Sequence, residues 1–145
     1  MAELAERGGG HRESGSILLA SASGDPARVT RVIYHDDLDP GCLQGGHIRI
    51  ASGAFSTLWD ICEAEDLKVA ADVHTHPGEG VAMSSIDAKN PMMARSGHIG
   101  VIVPRLALGR VSPSDVGLHL YQGSDGWTSW TGRQAARRIR LDRVR

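Results

Sequence analysis

The residues best suited to chemistry lie in one stretch, DVHTHPGEGVAMSSIDAKNP, from Asp72 to Pro91. His74 and His76 close an apolar run, KVAADVHTH, with a single residue between them. On a β-strand, residues i and i+2 share a face, so the two imidazoles stand side by side while Thr75 points the other way. Two imidazoles at a strand end are half of a zinc site, and a catalytic zinc takes a third protein ligand and keeps one position open for water. The following SSID supplies a candidate third ligand: if a helix starts at Ser84, Asp87 falls in its first turn, close to where the strand ends. Ser84-x-x-Asp87 is equally a helix-capping pattern, because a serine oxygen accepts from the N3 amide and an acid suits a helix N-terminus. The spacing alone leaves both uses open.

These side chains need a scaffold, and the rest of the chain reads as strands and helices that could provide one. SILLASA (Ser16–Ala22) predicts a strand that the turn signal SGDP ends, and VTRVIYH (Val29–His35) alternates as a second strand, so the two predict a hairpin. DDLDPGCLQGG is loop, and HIRIA (His47–Ala51) a short strand. In SGAFSTLWDICEAEDL, Ser52 is a candidate cap, and Phe55, Leu58, Trp59 and Cys62 fall at i, i+3, i+4 and i+7, the stripe of an amphipathic helix. KVAADVHTH is a strand stopped by Pro77–Gly78, and the helix beginning at Ser84 or Ser85 is cut short by Pro91. HIGVIVP (His98–Pro104) predicts a buried strand, with GLHLYQG and GWTSWTG as two more. There is no internal repeat. The order predicts an α/β fold, a single-domain mixed β-sheet flanked by helices.

Composition narrows the function classes. The 145 residues suffice for one domain with its own core, spanning 1–145. A formal net charge of −1 gives no whole-protein field favouring nucleic acid or a membrane surface. The lopsided segment is the tail RQAARRIRLDRVR, read as a basic C-terminal helix over 133–145 that turns Ala136, Ile139 and Val144 inward and its arginines to solvent. Cys42 and Cys62 have no C-x-x-C company and form no disulfide framework. The first residues are too polar for a signal peptide, and no apolar run reaches membrane-spanning length. The compartment expected from these features is a reducing cytoplasm.

His74-Thr75-His76, seven intervening residues and Ser84-x-x-Asp87 together are similar to the H-[S/T]-H-x7-S-x-x-D signature of the JAMM (JAB/MPN) metalloproteases. HRESGSILLA resembles the family's upstream E-x-G-x-L stretch, with Glu13 in the glutamate position, and GHIGVIVP resembles the strand that follows the metal helix in prokaryotic members. The resemblance runs from about Arg12 to Trp130 and implies the MPN/JAB, cytidine-deaminase-like fold. It implies that His74, His76 and Asp87 hold Zn²⁺, that Glu13 takes a proton from water and delivers it to the leaving amine, and that Ser84 donates to the oxyanion. The implied activity is a peptidase or isopeptidase acting after the C-terminal glycine of a ubiquitin-like protein or its conjugates, as in a bacterial conjugation or anti-phage operon. The alternatives are release of cysteine or another small adduct from a ubiquitin-fold sulfur carrier, and a non-catalytic MPN scaffold. Scaffolds of the family typically lose metal ligands that this chain retains.

Only Met1–Arg12 precede Glu13, so AELAER stands in a shortened N-terminal segment where the family carries a strand and a longer helix. The modifier's tail is expected to add along an exposed strand edge, framed by segments 78–83 and 105–117. His11, His35, His47, His98 and His119 have no ligand spacing and read as structural or exposed.

Overall fold

The computed structural model describes residues 1–24 and 28–142. A short helix, α1 (Ala2–Arg7), leads into strand β1 (Gly15–Ser21), which pairs antiparallel with β2 (Val29–Tyr34) as the hairpin predicts. The SGDP turn between them falls partly outside the described residues. Helix α2 (His35–Leu38) and a loop follow, then α3 (Ala54–Ala64) and strand β3 (Leu67–Thr75). A crossover carrying α4 (Ser85–Lys89) leads to β4 (Ile99–Val103). Strands β5 (Gly117–Tyr121) and β6 (Trp127–Trp130) and helix α5 (Gly132–Ala136) complete the order.

The six strands form one sheet in the order β2-β1-β3-β4-β5-β6. Neighbours are antiparallel except β3 and β4, which are parallel, so the sheet is mixed and helices flank it. The parallel pair explains where the chemistry sits. Parallel neighbours need a long crossover, and here that crossover is the segment bearing Ser84 and Asp87, returned to the strand end that holds His74 and His76.

Alternation along the strands gives the sheet two different faces. Val73 and Val103 point to one, where they meet Leu4 of α1, Ala107 and Val116. Ile17 and Leu19 point to the other, where they meet Leu58 and Cys62 of α3. Full burial of a leucine such as Leu58 contributes about 1.5–3 kcal/mol. This second face also carries Asp72 and His74, so α3 and the candidate site share one side of the sheet.

Some predicted elements differ. HIRIA forms no strand: Ala51 N instead donates to Asp39 Oδ2 and Arg49 N to the Cys42 carbonyl, bonds that a ladder would have needed. The N-cap of α3 is Gly53, without a side-chain cap, and not Ser52. Within the α3 stripe, Leu58 and Cys62 are buried but Trp59 is 42% exposed. The basic helix predicted over 133–145 is confined to Gly132–Ala136, and its buried residue is Ala135 in place of Ala136. Arg133 and Arg137 stand one helical turn apart with like charge, which opposes continuation, and Arg138 stacks over the Trp130 ring at 4.2 Å. Ile139 packs on the core, and Val144 lies outside the described residues.

Candidate metal centre

His74 and His76 project from the end of β3 with their Nε2 atoms 3.2 Å apart. Asp87 meets both, with Oδ1 at 3.6 Å from His74 Nε2 and Oδ2 at 3.3 Å from His76 Nε2. A tetrahedral ion with ligand bonds of about 2.0–2.1 Å sets its ligand atoms about 3.3 Å apart. The two imidazole nitrogens stand close to that figure and an Asp87 oxygen lies near each, so one ligand atom from each residue falls within 4.8 Å of the others and the set could hold a four-coordinate ion. It is the one cluster of three such groups among the described residues.

The other ring nitrogens face acceptors, within hydrogen-bond distance for His76 and just beyond it for His74. His76 Nδ1 donates to the Gly80 carbonyl at 3.3 Å, and His74 Nδ1 faces Asp72 Oδ2 at 3.8 Å. Electrostatics follow. Burial alone would lower the His74 pKa, but the Asp72 and Asp87 carboxylates outweigh it and hold it at about 9. Burial would raise Asp87, yet its contacts to His74, His76 and Ser84 keep it well below the usual carboxylate range. The His74 imidazole and the Asp87 carboxylate thus each favour their charged form, and the two carboxylates make the site favourable to positive charge.

Ser84 and Asp87 form a complete capping box. Ser84 Oγ accepts from Asp87 N at 3.1 Å, and Ser84 N donates to Asp87 Oδ2 at 2.8 Å. Capping and ligation are therefore one arrangement, since the box points the Asp87 carboxylate at the histidines. The path from His76 into this crossover is braced by a turn, Arg105–Ala107, whose three residues all take left-handed φ of 55°, 53° and 60°. Its amides donate back, Arg105 N to the Gly78 carbonyl and Leu106 N to that of His76, each at 2.8 Å.

Glu13 lies two residues before the start of β1 and is half-buried in the same cleft as His74 and Asp87, outside the three-residue cluster. Its neighbour is firmly held. Ser14 N donates to Thr75 Oγ1 and Ser14 O accepts from Thr75 N, both at 2.9 Å, while Ser14 Oγ donates to the Leu4 carbonyl at 2.6 Å. Burial raises the Glu13 carboxyl above its ordinary pKa, against the nearby His76 and His74, which lower it. The cleft, of about 100 Å³, runs from Glu13, His47 and Ile48 past the ligands to Met83, Met92 and Trp127.

The structure brings all five predicted site residues to this region. Sequence reasoning missed Asp72, while His35, His98 and His119, read as structural or exposed, are buried. Asp72 accepts from His98 Nε2 at 2.5 Å, and an acid inside an apolar strand two residues before His74 was the available signal. His35 is fully buried against Gly15, and neither ring nitrogen has a partner; burial lowers its pKa to about 4. His119 is buried too, bonded to Ser129 Oγ at 2.7 Å and to the Val81 carbonyl at 2.9 Å, so it pins the crossover loop. His11 and His47 are exposed, the latter on the cleft wall.

No family model matches the chain. Its fold is similar to the solution structure of protein DSY2949 from Desulfitobacterium hafniense, with a TM-score of 0.65 at 17% identity over 90% of this chain and 84% of that one. At that identity the likeness concerns the fold. No helix among the described residues is long and apolar enough to cross a membrane.

Proposed function

We propose that this chain is a zinc-dependent peptidase or isopeptidase that cleaves after the C-terminal glycine of a ubiquitin-like protein, maturing it or freeing it from a conjugate. The observation that carries this reading is the convergence of His74, His76 and Asp87, one ligand atom from each within 4.8 Å of the others, with Glu13 in the same cleft. Zinc, when bound, supplies Lewis acidity and brings the pKa of a water from about 15.7 toward about 7.

The chain's own residues do the rest. Glu13, raised by burial, takes the proton of the attacking water and returns it to the leaving amine. The capping bond uses Ser84 Oγ as an acceptor, which leaves its hydroxyl proton to donate to the developing oxyanion. A cleft of about 100 Å³ accommodates an extended backbone with small side chains, which favours glycine at the cut. Strand β3 is interior, flanked by β1 and β4. The tail would therefore lie across the cleft between the His47 loop and α4, not along a free strand edge at the metal. Cys42 and Cys62, both buried and unpaired, suit a reducing cytoplasm.

The test is mass spectrometry of a ubiquitin-like protein bearing a C-terminal extension or a linked lysine, incubated with the protein with and without a zinc chelator. The expected result is loss of the extension, abolished by the chelator. Glu13→Gln should keep the metal while cleavage falls by about 10²–10⁴. Modifiers from the same genome that all stay intact would count against the peptidase and for the scaffold or small-adduct activity. Loss of metal from Glu13→Gln would overturn the role given to Glu13.

A further inference from the structure

Asp72 lies in interior strand β3, is 5% exposed, and is neither a ligand nor a proton carrier in the reading above. A buried carboxylate persists only when paired, and this one has two imidazole partners. His98 Nε2 donates to Oδ1 at 2.5 Å, and His74 Nδ1 faces Oδ2 at 3.8 Å. The parallel register sets Asp72 opposite Gly100. His98 is itself buried at the start of β4, its carbonyl accepting from Tyr121 N at 2.9 Å. A buried chain of contacts thus runs from His98 through Asp72 to a candidate ligand.

We propose that Asp72 and His98 are positioning residues for the metal: His98 fixes the Asp72 carboxylate, whose second oxygen keeps the His74 proton on Nδ1 and its Nε2 lone pair toward the ion. His76 has its counterpart in the Gly80 carbonyl. Only a carboxylate serves both histidines at the Asp72 position, because it offers two acceptor oxygens where an amide offers one acceptor and one donor. An asparagine that keeps its bond from His98 must turn its NH₂ toward His74. That favours the tautomer with the proton on Nε2, which cannot ligate.

The inference rests on the metal reading above, and the experiment separates the two. Zinc affinity is measured by competition with a chromogenic chelator, and the visible spectrum of the Co²⁺-loaded protein is the second readout. Asp72→Asn should bind zinc about 10–100-fold more weakly, with altered Co²⁺ bands. Adding His98→Gln should recover most of the loss, because the glutamine carbonyl can accept from the asparagine NH₂ and so free the asparagine oxygen for His74. Should Asp72→Asn fail to fold, His98→Leu reads the same linkage from the far end, with weaker zinc binding expected although His98 is no ligand. Unchanged affinity and spectrum in the folded variant, or a loss that the second substitution does not recover, would overturn the positioning role alone. An unsubstituted protein that takes up no zinc would overturn the metal reading and this inference with it.

Discussion

Gly15→Ala adds one methyl group where β1 pairs with His74, the first candidate ligand. A Cβ at Gly15 would stand 2.4 Å from His35 Cε1, 2.5 Å from His35 Nδ1 and 2.6 Å from the Val73 carbonyl oxygen. Non-bonded carbon contacts are favourable only from about 3.5 Å, so all three are severe. The His35 ring is fully buried, and the Val73 oxygen belongs to β3 itself. Relief requires β1 and β3 to separate by roughly 1 Å at the Gly15–His74 pair, between the residues that carry Glu13 and the first ligand. Overpacking of this kind costs about 1–3 kcal/mol, and the lower chain entropy of alanine in the unfolded state returns about 0.4–1 kcal/mol. Three contacts this short place the cost toward the upper end of that range, so metal-free Gly15→Ala should be about 2 kcal/mol less stable in urea unfolding, with weaker zinc binding. Gly15→Ala with His35→Ala removes the ring contacts but not the one to Val73, so it should recover the zinc affinity only in part. A Gly15→Ala protein as stable as the parent would refute the argument.

Ser84→Ala removes the capping oxygen of a five-residue helix, so metal-free stability should fall by about 0.5–2 kcal/mol in thermal or urea unfolding. Its effect on turnover should exceed its effect on metal affinity. The three perturbed histidines act in two pH windows. His35, lowered by burial to about 4 from 6.5, binds fewer protons folded than unfolded, so its contribution to stability is full above pH 6.5 and lost as pH falls toward about 4, by about 3 kcal/mol. His119, also lowered by burial, acts in the same sense. His74, held at about 9, contributes fully below pH 6.5 and loses its contribution as pH rises through about 9, so it does not obscure the acid limb. Urea midpoints of metal-free protein across pH 4–7 should fall with acid, and His35→Leu should flatten the fall.

Local signals carried much of the site. The i, i+2 spacing of His74 and His76 placed both on one strand face, and Ser84-x-x-Asp87 was legible as a cap and as a ligand source; the structure uses one geometry for both. The central strands were legible because each is a short apolar run bounded by turn residues. What escaped depends on pairing across the chain. Asp72 and His98 are 26 positions apart and meet only through the parallel β3–β4 register. The burial of His35 depends on Gly15 leaving room for its ring. HIRIA has the alternation of a strand but no neighbouring edge to pair with, and its amides are engaged by the Asp39 loop. The basic tail has helical spacing but little buried surface beyond Ala135 and Ile139, too little to carry a helix against arginine repulsion.

The zinc stoichiometry of freshly purified, unchelated protein, read by elemental analysis beside His74→Ala, His76→Ala and Asp87→Ala, tests the central claim most directly. The account predicts close to one zinc per chain in the parent and most of it lost in each variant, because three ligands around one ion leave no spare donor. A parent without zinc, or variants that keep it, would contradict the assignment of this cluster as the metal centre.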